Sequence, residues 1–159
     1  MKRLLVVAAL FAALPGMIFA QAFRDMPRSG VASRPAPLLT STHVTYVESA
    51  IGGPENVPPS QFLPQTERDH GGAIMDVAVF ETGLASSRGA SMNGVTLPHG
   101  SQYRTENYCG AGGWHVCRPG EEVQGFMRYW KLDGYQSGTF EQVTYSSRGQ
   151  RFSARLFIR

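Results

Sequence analysis

Apolar and polar positions alternate with a period of two along most of the chain after residue 40, while no helical period of usable length appears beyond residue 22. The last segment shows it best. Phe152, Ala154, Leu156 and Ile158 share one face, and Ser153, Arg155, Phe157 and Arg159 share the other. One face is expected in a core and the other mostly in water. Residues 121–159 form three runs rich in aromatic and β-branched residues, punctuated by Asp133-Gly134 and Arg148-Gly149, which predicts a C-terminal β-meander. In its first run both faces carry large apolar side chains, among them Phe126 and Trp130 beside Arg128. Ordinary core packing is the plain expectation for both rings.

Upstream, residues 43–48 read as a strand by β-propensity. Residues 52–60 follow as a long loop dense in glycine and proline. Asp69-His70-Gly71-Gly72 is a turn launching residues 73–81, a run apolar on both faces that suits a strand buried on both sides. Asp76 interrupts it and needs a partner or a wet edge, with Arg128 a candidate. A loop is expected over 81–90. Asn93-Gly94 between short β-prone runs signals a type I′ hairpin, because both residues tolerate positive φ. Residues 102–108 are a further strand. The fold expected is all-β: an antiparallel β-sandwich or flattened barrel of about seven or eight strands.

The 159 residues leave room for one domain. Lys2 and Arg3, the apolar run 4–14, Pro15-Gly16 and Ala20-Gln21-Ala22 have the layout of a signal peptide over residues 1–22. Cleavage is expected after Ala22, with Ala20 as the alternative. Residues 23–41, with Pro27, Pro35, Pro37, Arg24, Arg28 and Arg34, read as a flexible arm, and 42–159 as the β domain. Without the leader, thirteen basic residues face twelve acidic ones, so the charge does not argue for nucleic acid. Lys131 is the sole lysine after Lys2. No later segment suits a membrane span. The location expected is secreted or periplasmic. Cys109 and Cys117, an even pair in an exported chain, read as a disulfide closing a glycine-rich loop.

Four histidines are present, His43, His70, His99 and His115, with no paired ligand spacing and no cofactor motif. Asp69, His70, His99 and His115 sit in turns and loops, and could form a hydrolytic or metal site only if the fold gathered them. The plainer reading is solvated turn residues. No nucleophile elbow, calcium loop or metal set is written in the chain. Trp114 stands in the cysteine loop with little side-chain bulk around it, His115 beside it, and Tyr135 follows the next turn. Flat aromatics on a rigid β scaffold can bind sugar rings or a protein surface. A non-enzymatic module for a glycan, cell-envelope or protein partner is therefore the first functional expectation, and an exported hydrolase or metal-dependent enzyme the second.

Asp69-His70-Gly71-Gly72 before an apolar strand, Met92-Asn93-Gly94 followed by Pro98, and Gly125-Phe126 through Trp130 to Asp133-Gly134-Tyr135, Gly138 and Phe140 together resemble the small secreted YolA-type proteins of bacteria, a domain-of-unknown-function family with Bacillus and Burkholderia members. The resemblance implies export and a compact β-rich domain. It brings no assigned activity and no catalytic residue.

Overall fold

The computed structural model describes residues 36–59, 63–110 and 113–159. The signal sequence expected over 1–22, and the arm as far as residue 35, lie outside the described residues. Ten strands and no helix are found among the described residues. In chain order they are β1 (Ser41–Ser49), β2 (Gly53–Asn56), β3 (Met75–Thr82), β4 (Ser87–Met92), β5 (Val95–Thr96), β6 (Gln102–Cys109), β7 (His115–Val116), β8 (Gly125–Lys131), β9 (Gly138–Tyr145) and β10 (Arg151–Ile158). They form a curled six-stranded sheet, β2-β1-β3-β8-β6-β7, and a four-stranded sheet, β10-β9-β4-β5. Every ladder within them is antiparallel.

The all-β sandwich is as expected, with more strands than expected because β5 and β7 are two-residue edge pieces. Its core lies between the sheets. Val47, Met75, Val77 and Leu132 come from one side, and Met92, Phe140, Leu156 and Ile158 from the other. Each such side chain, fully buried, contributes roughly 1.5–3 kcal/mol. β3 lies at the centre of the larger sheet, and its residues from Met75 to Glu81 are all buried. That accounts for a run apolar on both faces. β10 alternates as its sequence does, with Ala154, Leu156 and Ile158 inside and Arg155 and Phe157 outside.

Polar groups also cross the inter-sheet space. Glu81 is fully buried and accepts hydrogen bonds from Arg128 Nε (3.0 Å), Gln142 Nε2 (2.9 Å) and Arg88 Nε (3.1 Å). Gln142 in turn accepts from the Trp130 indole at 2.6 Å. Trp130 is thus a core residue with its one donor satisfied. Arg128 also donates to Thr105 Oγ1 at 2.9 Å. Asp76 lies on the opposite face of β3, so Glu81, not Asp76, is the carboxylate that Arg128 serves.

The structure corrects four further expectations. The three C-terminal strands do not make one meander: β9 and β10 form a hairpin, but β8 belongs to the other sheet. The Asp133-Gly134 turn redirects the chain between sheets. Asp133 Oδ1 accepts the Met75 amide (3.0 Å), and Gly134, at φ 86°, donates its own to Gly72 (2.9 Å). Within the loop expected over 52–60, Gly53–Asn56 is edge strand β2; Pro54 is tolerated there because an edge strand bonds on one side only. The loop expected over 81–90 contains the start of β4 at Ser87, paired to β9. Residues 36–40, expected in the arm, also pack on the domain. Leu39 is buried, Leu84 donates to Pro37, and Ala36 lies against the disulfide cluster. The Asn93-Gly94 hairpin is as expected, with φ of 54° and 78°.

Candidate binding face

The face of the six-stranded sheet that turns away from the core is neither smooth nor apolar. Cross-strand register sets its rows. His43, Phe80, Met127 and Glu106 are successive partners across β1, β3, β8 and β6. Tyr46, Ala78, Tyr129 and Arg104 make the next row, and Glu48, Asp76 and Lys131 the third. Glu48, Asp76, Arg104, Glu106 and Tyr129 are all buried. Burying this much charge and hydroxyl on a non-core face is costly unless the groups are bonded.

Several partners are defined. Tyr129 donates its hydroxyl to Glu106 at 2.5 Å, and Arg104 pairs with the same carboxylate while lying 4.7 Å over the Tyr129 ring. The Lys131 amine stands 5.3 Å above the Tyr103 ring. Tyr46 donates to Glu48 at 3.4 Å. Burial, the Glu48 charge and that hydrogen bond push the Tyr46 phenol up to about 12. The Glu48 carboxyl is itself raised, first by burial and then by the charge of Asp76, against the opposing pull of the Tyr46 hydroxyl. Burial raises Tyr129 too, and its bond to Glu106 adds to this. Both phenols therefore keep their protons and donate them to the neighbouring carboxyls.

An aromatic cluster closes one end of the face. Phe80 meets Tyr108 edge-on at 5.5 Å and Trp114 at 4.9 Å, with His43 5.8 Å away. Trp114 remains 40% exposed. Its position follows from the Cys109–Cys117 disulfide, with a Cα–Cα distance of 5.1 Å. The bond ties β6 to the chain just past β7 and holds the indole over β3. The expected disulfide is thus present.

The remaining residues singled out by sequence are scattered. His115 is exposed on β7, with Nε2 3.0 Å from Glu121 and Nδ1 3.2 Å from the Gly113 carbonyl. Both contacts raise its pKa, that to Gly113 most. His70 is fully buried beside β2, at the other edge of the sheet order. Its Nδ1 is 3.1 Å from Ser49 Oγ and its Nε2 3.0 Å from Glu55. Glu55, a carboxylate, can only accept, so the ring proton belongs on Nε2 and Nδ1 accepts from the Ser49 hydroxyl, whose oxygen accepts the Gly52 amide at 2.8 Å. This serine, histidine and glutamate are sequestered, and they hold a loop. Asp69 is exposed and accepts the Gly71 amide (3.1 Å), and His99 is exposed in the β5–β6 turn. Among the described residues no three His, Cys, Asp or Glu side chains are placed to hold a metal ion. Tyr135 is half-buried against the core and lines a hollow with Leu97, Pro98 and Lys131.

Sequence reasoning missed Tyr46, Glu48, Arg104 and Tyr129, and considered Glu106 only as a companion of Asp69 and the loop histidines, whereas it lies on β6 bonded to Tyr129. One signal pointed toward them: Asp76, an acid within an apolar strand, faces the side they share. Only the register between distant strands reveals the company it keeps.

The architecture is that of a two-sheet antiparallel β domain carrying a polar and aromatic face outside its core. The chain belongs to the DUF4879 family, a domain of unknown function, whose profile matches residues 34–158. No curated protein matches it.

Proposed function

We propose that this chain is an exported binding module that holds a glycan at the exposed Trp114 end of its six-stranded sheet. The observation that carries the reading is the placement of Trp114: a large ring, 40% exposed, fixed by a disulfide-tied hairpin over Phe80, around which the half-buried His43 and Tyr108 rings also gather. Flat rings that stack on sugar faces, next to acids and hydroxyls that bond sugar hydroxyls, are the chemistry a glycan requires. The disulfide fits an oxidising compartment, and the leader-like residues 1–22 and the likeness to secreted YolA-type proteins support export, to the medium or the periplasm. A cell-envelope polymer is the partner this reading favours. The hydrolytic or metal-dependent alternative draws no support from Asp69, His70, His99 and His115, since His70 is sequestered and the others have separate surroundings.

Binding of the purified domain to glycan and cell-wall arrays tests the proposal. Trp114→Ala is expected to lower binding by about tenfold or more, with an unchanged melting temperature, as for an exposed aromatic contact. Equal binding by the variant overturns it.

A further inference from the structure

We infer that the outer face of the four-stranded sheet carries a site for an acidic sugar, a uronate ring seated in the hollow over Gly89. The site lies on the other sheet from Trp114 and stands without that reading. Register sets three rows of outward positions. Ser87, Tyr145 and Arg151 are cross-strand partners in the first, Gly89, Val143 and Ser153 in the second, and Ser91, Glu141 and Arg155 in the third, with Thr96 beyond Ser91. The positions that alternate with them, such as Ala90, Gln142 and Ala154, are buried, so the rows face solvent. The middle row is low. A Cβ on Gly89 would meet nothing within 4 Å, and Val143 is half-buried. The outer rows, about 14 Å apart by strand geometry, stand as walls. Between them is a hollow of about 420 Å³ whose Tyr145, Ser87 and Thr96 are all exposed, within a ligand's reach. A glycine inside a strand leaves room for such a close approach.

Charge selects the ligand. The four strands hold one acid, Glu141, against Arg88, Arg151 and Arg155. Arg88 is spent on Glu81. Arg151 pairs with Glu141 at 3.2 Å, but its side chain is 54% exposed, and exposed ion pairs are weak. Arg155, directly opposite Glu141, offers that carboxylate a second cation. Arg151 can therefore turn to a ligand carboxylate, in the two-pronged geometry that guanidinium and carboxylate share. The sugar's apolar face then lies on Val143, beside the Tyr145 ring, and its hydroxyls meet Ser87, Ser91 and Thr96.

The test is titration calorimetry in phosphate-free buffer, with a galacturonate trimer, its methyl ester and inorganic phosphate as probes. The trimer is expected to bind about tenfold or more tightly than the ester, as for a hydrogen-bonded charge, and to outbind phosphate. Arg151→Gln should remove the preference for acid over ester. Gly89→Val fills the hollow at a strand position where a side chain has open space. It should weaken trimer binding about tenfold or more while the melting temperature holds or rises, since valine suits a strand better than glycine. Trp114→Ala should bind the trimer as the wild type does. No binding of the trimer, equal affinity for trimer and ester, phosphate bound as tightly as the trimer, or trimer binding untouched by Gly89→Val overturns the uronate site and leaves the Trp114 reading standing. Trimer binding lost in Trp114→Ala and kept in Gly89→Val overturns it too, and places the acidic sugar at the Trp114 end.

Discussion

Glu55 shows how much one residue organises. Its carboxylate accepts the Glu67 amide (2.7 Å), the Arg68 amide (3.0 Å) and the buried His70 ring (3.0 Å). Burial alone would raise its pKa, but the bonds from His70, Glu67 and Arg68 outweigh that and leave it below the ordinary 4.5. A depressed folded-state pKa means that the folded protein holds this proton less tightly than the unfolded chain. The resulting stability is complete above the unfolded value and is lost as pH falls through the folded one. The urea midpoint should therefore decline as the buffer is taken below about pH 4.5, and Glu55→Gln should flatten that part of the profile; a parallel profile in the variant counts against this role. None of this was legible in the sequence. Glu55 sits among Gly53, Pro54 and Pro58, which reads as loop, and its partners come from residues 67–70. His70 looked like a candidate for chemistry because a turn beside two glycines suggests exposure. Those glycines serve a different need: the backbone of Gln136 packs against Gly71 so closely that a methyl group there would overlap its carbonyl.

Among the elements, the disulfide hairpin is the one whose removal tests what fixes Trp114. Cys109 and Cys117 are buried with Val123, and Ala36 and Phe126 pack against them. Closing a loop of this length stabilises by about 2.5 kcal/mol on chain-entropy grounds. The Cys109→Ala/Cys117→Ala pair should lower the denaturation free energy by about that amount. It should also weaken the near-ultraviolet circular dichroism of Trp114, which then loses its fixed stance on Phe80. An unaltered spectrum would show that the loop holds itself. Here the sequence was informative, because two cysteines around a glycine-rich tether leave few other readings. The same cannot be said of the predicted meander. Adjacent strands with turn residues between them look alike whether the turn folds back within a sheet or passes to another. What separates the cases is the anchoring of Asp133 and Gly134 by Met75 and Gly72, residues about sixty positions away.

For the whole molecule, the two sheets are held by apolar interdigitation and by one charged knot, in which Glu81 and Arg128 of one sheet meet Arg88 and Gln142 of the other. Removing one member of a buried ion pair costs about 3–5 kcal/mol, because the partner is left charged and dry. Glu81→Ala strands two arginines and should lower the denaturation free energy by about that much; a loss under 1 kcal/mol, measured by urea unfolding, would mean that solvent reaches the knot. The class of fold could be read from period-two alternation alone, since each strand carries its own inside and outside. The outer face could not, since its members come from β1, β3, β6 and β8 and meet only through pairing. Lys131 lies where that face joins the hollow at Tyr135, and the chain has no other lysine but Lys2. An amine-directed reagent thus has a single side-chain target in residues 3–159, and that target lies at the end of β8 beside the hollow lined by Tyr135. The protein carries its own address for a fluorophore, a cross-linker or a bead at one defined point of its surface.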